Sequence, residues 1–118
     1  MSCKAYKFID LDESEEQVDS GSGELVAIWV ANASSSARYL KIYDGLASAV
    51  TVGTTTPNLT FLIPPSNGGF YMRIPSNGWS YSSGVTVAAT TGVADADTGA
   101  PGANEVIGAV FYVSWKRL

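Results

Sequence analysis

Eleven carboxylates and one thiol are the groups through which this 118-residue chain could do chemistry, and it has no histidine. Without imidazole there is no neutral-pH base, no pH switch near neutrality and no nitrogen ligand for zinc. The single cysteine, Cys3, can form neither an internal disulfide nor a Cys-only metal site, and no basic neighbour marks it as an activated thiol. A Ser or Thr nucleophile would need lysine or a carboxylate as its base. Lys4, Lys7, Lys41 and Lys116 stand in strand-like or terminal segments with no site motif around them. The residues therefore predict no enzyme and no cofactor.

The carboxylates fall mainly into two groups. Residues 10–24 hold Asp10, Asp12, Glu13, Glu15, Glu16, Asp19 and Glu24 with no base among them. Asp10-x-Asp12-x-Ser14 opens like a calcium loop, but Gly21 stands where the bidentate Glu belongs. Asp95-Ala96-Asp97 fails in the same way, with Ala100 and Val106 at the positions that need Gly and Glu. The first group predicts a solvated acidic arm running into the flexible stretch Ser20-Gly21-Ser22-Gly23. Its sharper reading is a contact with a basic patch on a neighbouring chain, through Asp12, Glu13, Glu15 and Glu16. The second group predicts Asx turns in a loop, and no metal is expected at either. Gly21-Ser22-Gly23 and Gly68-Gly69 lack the Lys-Ser/Thr ending of a phosphate loop.

Charged residues are only 15% of the chain and the net charge is −4. Nucleic-acid binding is not expected, because phosphate affinity needs clustered Lys and Arg. The longest apolar run, Leu25 to Ala31, is far short of the roughly 18 residues of a membrane-spanning helix. The start Met1-Ser2-Cys3-Lys4 has no signal-peptide layout, so the glycosylation triplets at Asn32 and Asn58 are not expected to be used.

Aromatic residues carry more. Trp79 and Tyr81 lie in a Ser/Asn/Gly-rich stretch, 76–84, that reads as a loop, and aromatics in such a loop suit a contact surface. With Trp29, Tyr39, Tyr43 and Trp115 they are the aromatic interface candidates.

What must position these residues is a set of short strands. Leu25 to Ala31 is apolar on both faces, and strict alternation sets Val26, Ile28 and Val30 against Leu25, Ala27 and Trp29. Ala37 to Tyr43 alternates, with Leu40 and Ile42 opposite Tyr39, Lys41 and Tyr43. The small polar residues 32–36 predict a turn pairing these two runs as a hairpin. Further strands are expected at Leu59 to Ile63, Phe70 to Ile74, Val85 to Thr90 and Glu105 to Trp115. The one helix candidate, Asp12 to Asp19, has too few apolar positions to dock. The prediction is one domain over 1–118, an all-β antiparallel β-sandwich, jelly-roll-like, with long Gly/Ala/Thr-rich loops at 45–58 and 91–104. Residues 1–24 would be an N-terminal strand plus the acidic flexible arm, and 25–118 the core. Loops of that length are expected to serve function or an oligomer contact.

Several fragments, in order, carry a family likeness. They are Val30-Ala31-Asn32-Ala33-Ser34 through Tyr39-Leu40-Lys41-Ile42-Tyr43, then Val52-Gly53-Thr54-Thr55-Thr56-Pro57-Asn58-Leu59-Thr60. Ile63-Pro64-Pro65-Ser66-Asn67-Gly68-Gly69, Gly84 to Thr90 and Gly92-Val93-Ala94-Asp95-Ala96-Asp97-Thr98 follow. Together they resemble small virion structural proteins of tailed bacteriophages, across roughly residues 25–113. Two departures are Thr55, where that family has aspartate, and the aromatic stretch Trp79 to Tyr81. The resemblance implies a non-catalytic head decoration (cement) protein that binds the major capsid protein or another virion chain. It also implies self-association, as a trimer, and residence in the virion. The alternative is a tail or fibre module that binds a receptor or carbohydrate through a Trp79/Tyr81 platform.

Overall fold

A computed structural model describes residues 2–76 and 78–115. Its strands are β1 (Lys4–Phe8), β2 (Glu16–Ser20), β3 (Gly23–Asn32), β4 (Arg38–Asp44), β5 (Leu59–Ile63), β6 (Gly68–Arg73), β7 (Trp79–Tyr81), β8 (Gly84–Thr90) and β9 (Val106–Ser114). They form two antiparallel sheets packed face to face. The first runs β1-β9-β3-β6, with β7 also paired to β3, and the second runs β2-β8-β4-β5. The pairs nest, β1 with β9, β2 with β8, β3 with β6 and β4 with β5, like one long hairpin rolled across two sheets. This is the all-β sandwich that the strand pattern predicts, with β3 and β9 at the centre of the first sheet.

The core lies between the sheets. Phe8, Leu25, Ile28, Val30, Val106 and Val110 come from the first sheet and Leu40, Ile42, Ile63, Val85, Val87 and Ala89 from the second. Alternation holds along β4, as the sequence predicts, and along β9. It fails along β3, where Leu25 faces Tyr112 and Ala27 faces the next residue, Phe111. Val26 is therefore the extra residue of a β-bulge, which resets the parity. Leu25, Ile28 and Val30 all point inward, while Trp29 and Ala31 point out.

The hairpin expected between the 25–31 and 37–43 runs does not form. β3 pairs within the first sheet and β4 within the second, so residues 33–37 cross from sheet to sheet. Buried Asn32 holds that crossing. Its amide donates to the carbonyls of Ser36 and Ile63, and its Oδ1 accepts from the Ser34 amide.

The acidic stretch is neither a helix nor a loose arm. Leu11 is wholly buried and its amide donates to the Val106 carbonyl, while the Asp12 carbonyl accepts from Ala89. Glu16–Ser20 then pairs with β8, and a register shift between Gln17 and Asp19 leaves both Val18 and Asp19 buried. Two of its carboxylates take phenols from the opposite sheet. Glu16 accepts from Tyr6 and Asp19 from Tyr81, each at 2.7 Å. Gly23 permits the second bond, because a Cβ there would strike the Tyr81 hydroxyl and the Val113 carbonyl.

Candidate interaction surface

The sandwich has two outer faces, and the chain treats them differently. On the second sheet, Lys41, Tyr43, Thr86, Ala88 and Thr90 point outward and are all buried. Both long loops fold back over them. Val50 and Val52 pack on Tyr43 and Ala88, and the buried donors find loop carbonyls. Thr86 donates to Gly45 and Thr90 to Gly92, each at 2.8 Å, and Lys41 Nζ donates to Ala94. The Asp97 carboxylate shapes the second loop by accepting from the amides of Gly92 and Gly99. These loops, expected to serve function or an oligomer contact, fold back as a roof on the second sheet.

The first sheet has no such roof among the described residues. Its outward rows run Lys7–Ala109–Trp29–Tyr71 and Ala5–Phe111–Ala27–Arg73 across β1, β9, β3 and β6, with Ile107 and Ala31 in the next row. Trp29 is 43% exposed, Tyr71 60%, and Ile107 is exposed as well. Cys3, Val26, Ala27, Tyr71, Arg73 and Phe111 line an open recess of about 230 Å³ on this face.

The interface candidates scatter over these regions. Trp29 is on the bare face, and Trp115, 41% exposed, follows the end of β9. Tyr39 is half-buried on the second sheet, opposite Leu62 and Thr90. Tyr43, 1% exposed, is under the roof and is not available to a partner. The Trp79/Tyr81 platform is corrected too, because the segment is strand β7, paired to β3. Tyr81 is buried at 2% exposure with its hydroxyl bound to Asp19, and half-buried Trp79 packs on the core 6.3 Å from its ring. Asp12, Glu13 and Glu15 are half-buried along the 10–16 segment, where Asp12 accepts from the Ser14 amide; Glu16 is bound to Tyr6.

Tyr71, Ile107, Phe111, Lys7 and Arg73 were not singled out from the sequence as contact residues. The usable signal was parity: Phe70 and Met72 are apolar and point inward, which turns Tyr71 and Arg73 out.

The site chemistry is correspondingly plain. No cluster of three or more metal-ligating His, Cys, Asp or Glu side chains occurs among the described residues. Burial, then the bond to Glu16 and its charge, pushes Tyr6 up to about 12. Burial also pushes Tyr81 up, reinforced by its bond to Asp19. For Asp44, burial raises the pKa, but the amides of Ser83, Ser82 and Gly84 outweigh it and hold the carboxyl below its ordinary value. Each of these groups is engaged in closing the fold. Outside the roof, Leu62 stays exposed on β5, while Trp29, Tyr71 and Ile107 are exposed together on the face of the first sheet.

No family model matches the chain, and no curated protein and no solved structure matches it.

Proposed function

We propose that this chain is a virion structural protein of a tailed bacteriophage, a head decoration (cement) protein that binds and stabilises the capsid lattice. The observation that carries the reading is the bare outer face of the first sheet. The chain roofs the β4–β8 part of one outer face with its own loops and leaves the other face open, with Trp29, Tyr71 and Ile107 exposed on it. Contiguous exposed apolar surface of that kind marks an interaction site. The ordered fragments between residues 25 and 113 that resemble phage virion proteins supply the kind of assembly. Such a protein works by burial and shape, with weak contacts multiplied over many copies. Its self-association, as a trimer seated on a local three-fold axis, is drawn from the same resemblance.

The test is the copy number in purified particles, with co-sedimentation on undecorated heads. Hundreds of copies per particle and saturable binding to heads are expected. A handful of copies, or no binding to heads at tens of micromolar protein, would overturn the proposal.

A further inference from the structure

The charges on the bare face are arranged as well as its apolar residues. Lys7 stands on edge strand β1 and Arg73 on the opposite edge strand β6, both exposed and both pointing outward. Strand spacing separates their backbones by roughly 16 Å. Between them lie Ala5, Ala27, Trp29, Tyr71, Ala109 and Phe111. Among the described residues the only ion pair is Arg38 with Glu105, so neither base is neutralised there by this chain. The acid on this face, Glu24, lies at its end beside Val113 and Ser80. The recess opens next to Arg73, with Tyr71 and Phe111 in its walls.

We infer that this face receives another protein's apolar ridge flanked by carboxylates, with one bulky side chain of that ridge seated in the recess between Tyr71, Arg73 and Phe111. The inference rests on the proposed role in so far as the partner is a virion chain other than this one. Charge selects that occupant. A second copy stacked face to face about a two-fold axis would bring bases against bases, because both edges of the strip carry one. A partner with carboxylates on either side of an apolar ridge would pair both bases and cover the strip. Desolvated charge-assisted contacts of this kind supply orientation as well as affinity.

Two experiments separate this inference from the virion role. In the first, the probe is 8-anilinonaphthalene-1-sulfonate, an aromatic anion that copies the apolar and acidic parts of the ridge. The folded protein is expected to bind it, and Arg73→Glu to weaken that binding about tenfold. Leu62→Ser, which removes an exposed apolar side chain from the other sheet, should leave it unchanged. Arg73→Gln gives the same reading with a smaller loss if the charge reversal does not fold. Absence of dye binding, or equal binding by wild type and both Arg73 variants, overturns the inference.

In the second, Cys3 borders the recess and is exposed, so its alkylation by iodoacetamide reports whether the face is covered. Bound to undecorated heads, the protein should react about tenfold more slowly at Cys3, and Lys7→Glu and Arg73→Glu should each weaken co-sedimentation. Binding to heads with Cys3 unprotected and both variants unaffected removes this face while leaving the virion role intact. Failure to bind heads, alongside dye binding that depends on Arg73, removes the virion role and supports the recess chemistry. A two-fold dimer that protects Cys3 without heads overturns the inference in favour of a second copy.

Discussion

On the second sheet the outward residues Lys41, Tyr43, Thr86, Ala88 and Thr90 are all buried, whereas on the first Trp29, Ala31, Tyr71, Ile107, Ala109 and Phe111 are not. The closed face carries hydroxyls and an ammonium, and the bonds from Lys41, Thr86 and Thr90 each end on a carbonyl of a loop that covers them. The bare face offers mainly alkyl and aromatic surface, which gives a loop backbone nothing to bond. A roof over it would leave peptide groups buried without partners, at a cost comparable to lost hydrogen bonds. A second protein can instead cover it with side chains. The difference teaches that outward apolarity alone does not identify an interface; the fate of the polar groups beside it does.

The sharpest way to break this comparison is to truncate one outward aromatic on each face. Tyr43→Ala removes a ring enclosed by Val50, Val52 and Ala88 and should cost about 3 kcal/mol. Trp29→Ala removes a larger ring that is only half covered and should cost about 1 kcal/mol in the free protein. Urea unfolding midpoints measure both. Equal losses would mean that the first sheet is covered in solution or that the roof is loose.

A smaller effect tests how the roof is held. Thr86→Val and Thr90→Val keep the side-chain shape but remove the bonds to Gly45 and Gly92. Together they should cost about 2 kcal/mol, about 1 each. Proteolytic cleavage within 45–58 and 91–104 should rise in the double variant. Loss of stability without faster cleavage would show that the loops stay seated by apolar contact alone.

These contrasts were only partly legible in the sequence. β4 and β9 were readable to within a residue or two, because unbroken alternation sorts their residues into two faces. The faces of β3 were not, since a bulge at Val26 inverts parity and leaves no compositional mark. β2 was hidden by its own charge. A run of acids reads as solvated, yet Glu16 and Asp19 bond to Tyr6 and Tyr81 of the opposite sheet, and Tyr81 is distant in sequence. β7 was hidden by its Ser/Gly surroundings, although Tyr81 is core. The bare face emerged only when β1, β9, β3 and β6 were laid side by side, because no single strand displays the Lys7-to-Arg73 strip.

The seam between the two faces should respond to alkali. Tyr6 ionises near 10 in the unfolded chain and at about 12 when folded against Glu16. A raised folded pKa favours the protonated phenol in the native state. Its stabilisation is therefore complete below pH ~10 and is lost as the pH rises from there through about 12. Unfolding midpoints should fall across that window, and Tyr6→Phe should make the fall shallower. An unchanged slope in Tyr6→Phe would place the alkaline loss elsewhere in the molecule.

The smallest effect concerns the Tyr43 hydroxyl, which is buried under the roof with no hydrogen-bond partner among the described residues, while Lys41, Thr86 and Thr90 around it each donate to a loop carbonyl. Burial raises its pKa, and the charges of Glu15 and Asp95 add to the shift, so the group stays a neutral phenol at neutral pH. An unpaired buried hydroxyl has lost water and gained nothing in return. Tyr43→Phe keeps the ring against Val50 and Ala88 and deletes the orphan, so stability should stay level or rise by up to about 1 kcal/mol. Tyr43→Ala is thus expected to destabilise the fold, and Tyr43→Phe at the same position is not. A loss above about 1 kcal/mol in Tyr43→Phe would mean that the hydroxyl is bonded in solution, and that the roof is a polar closure at its centre as well as at its edges.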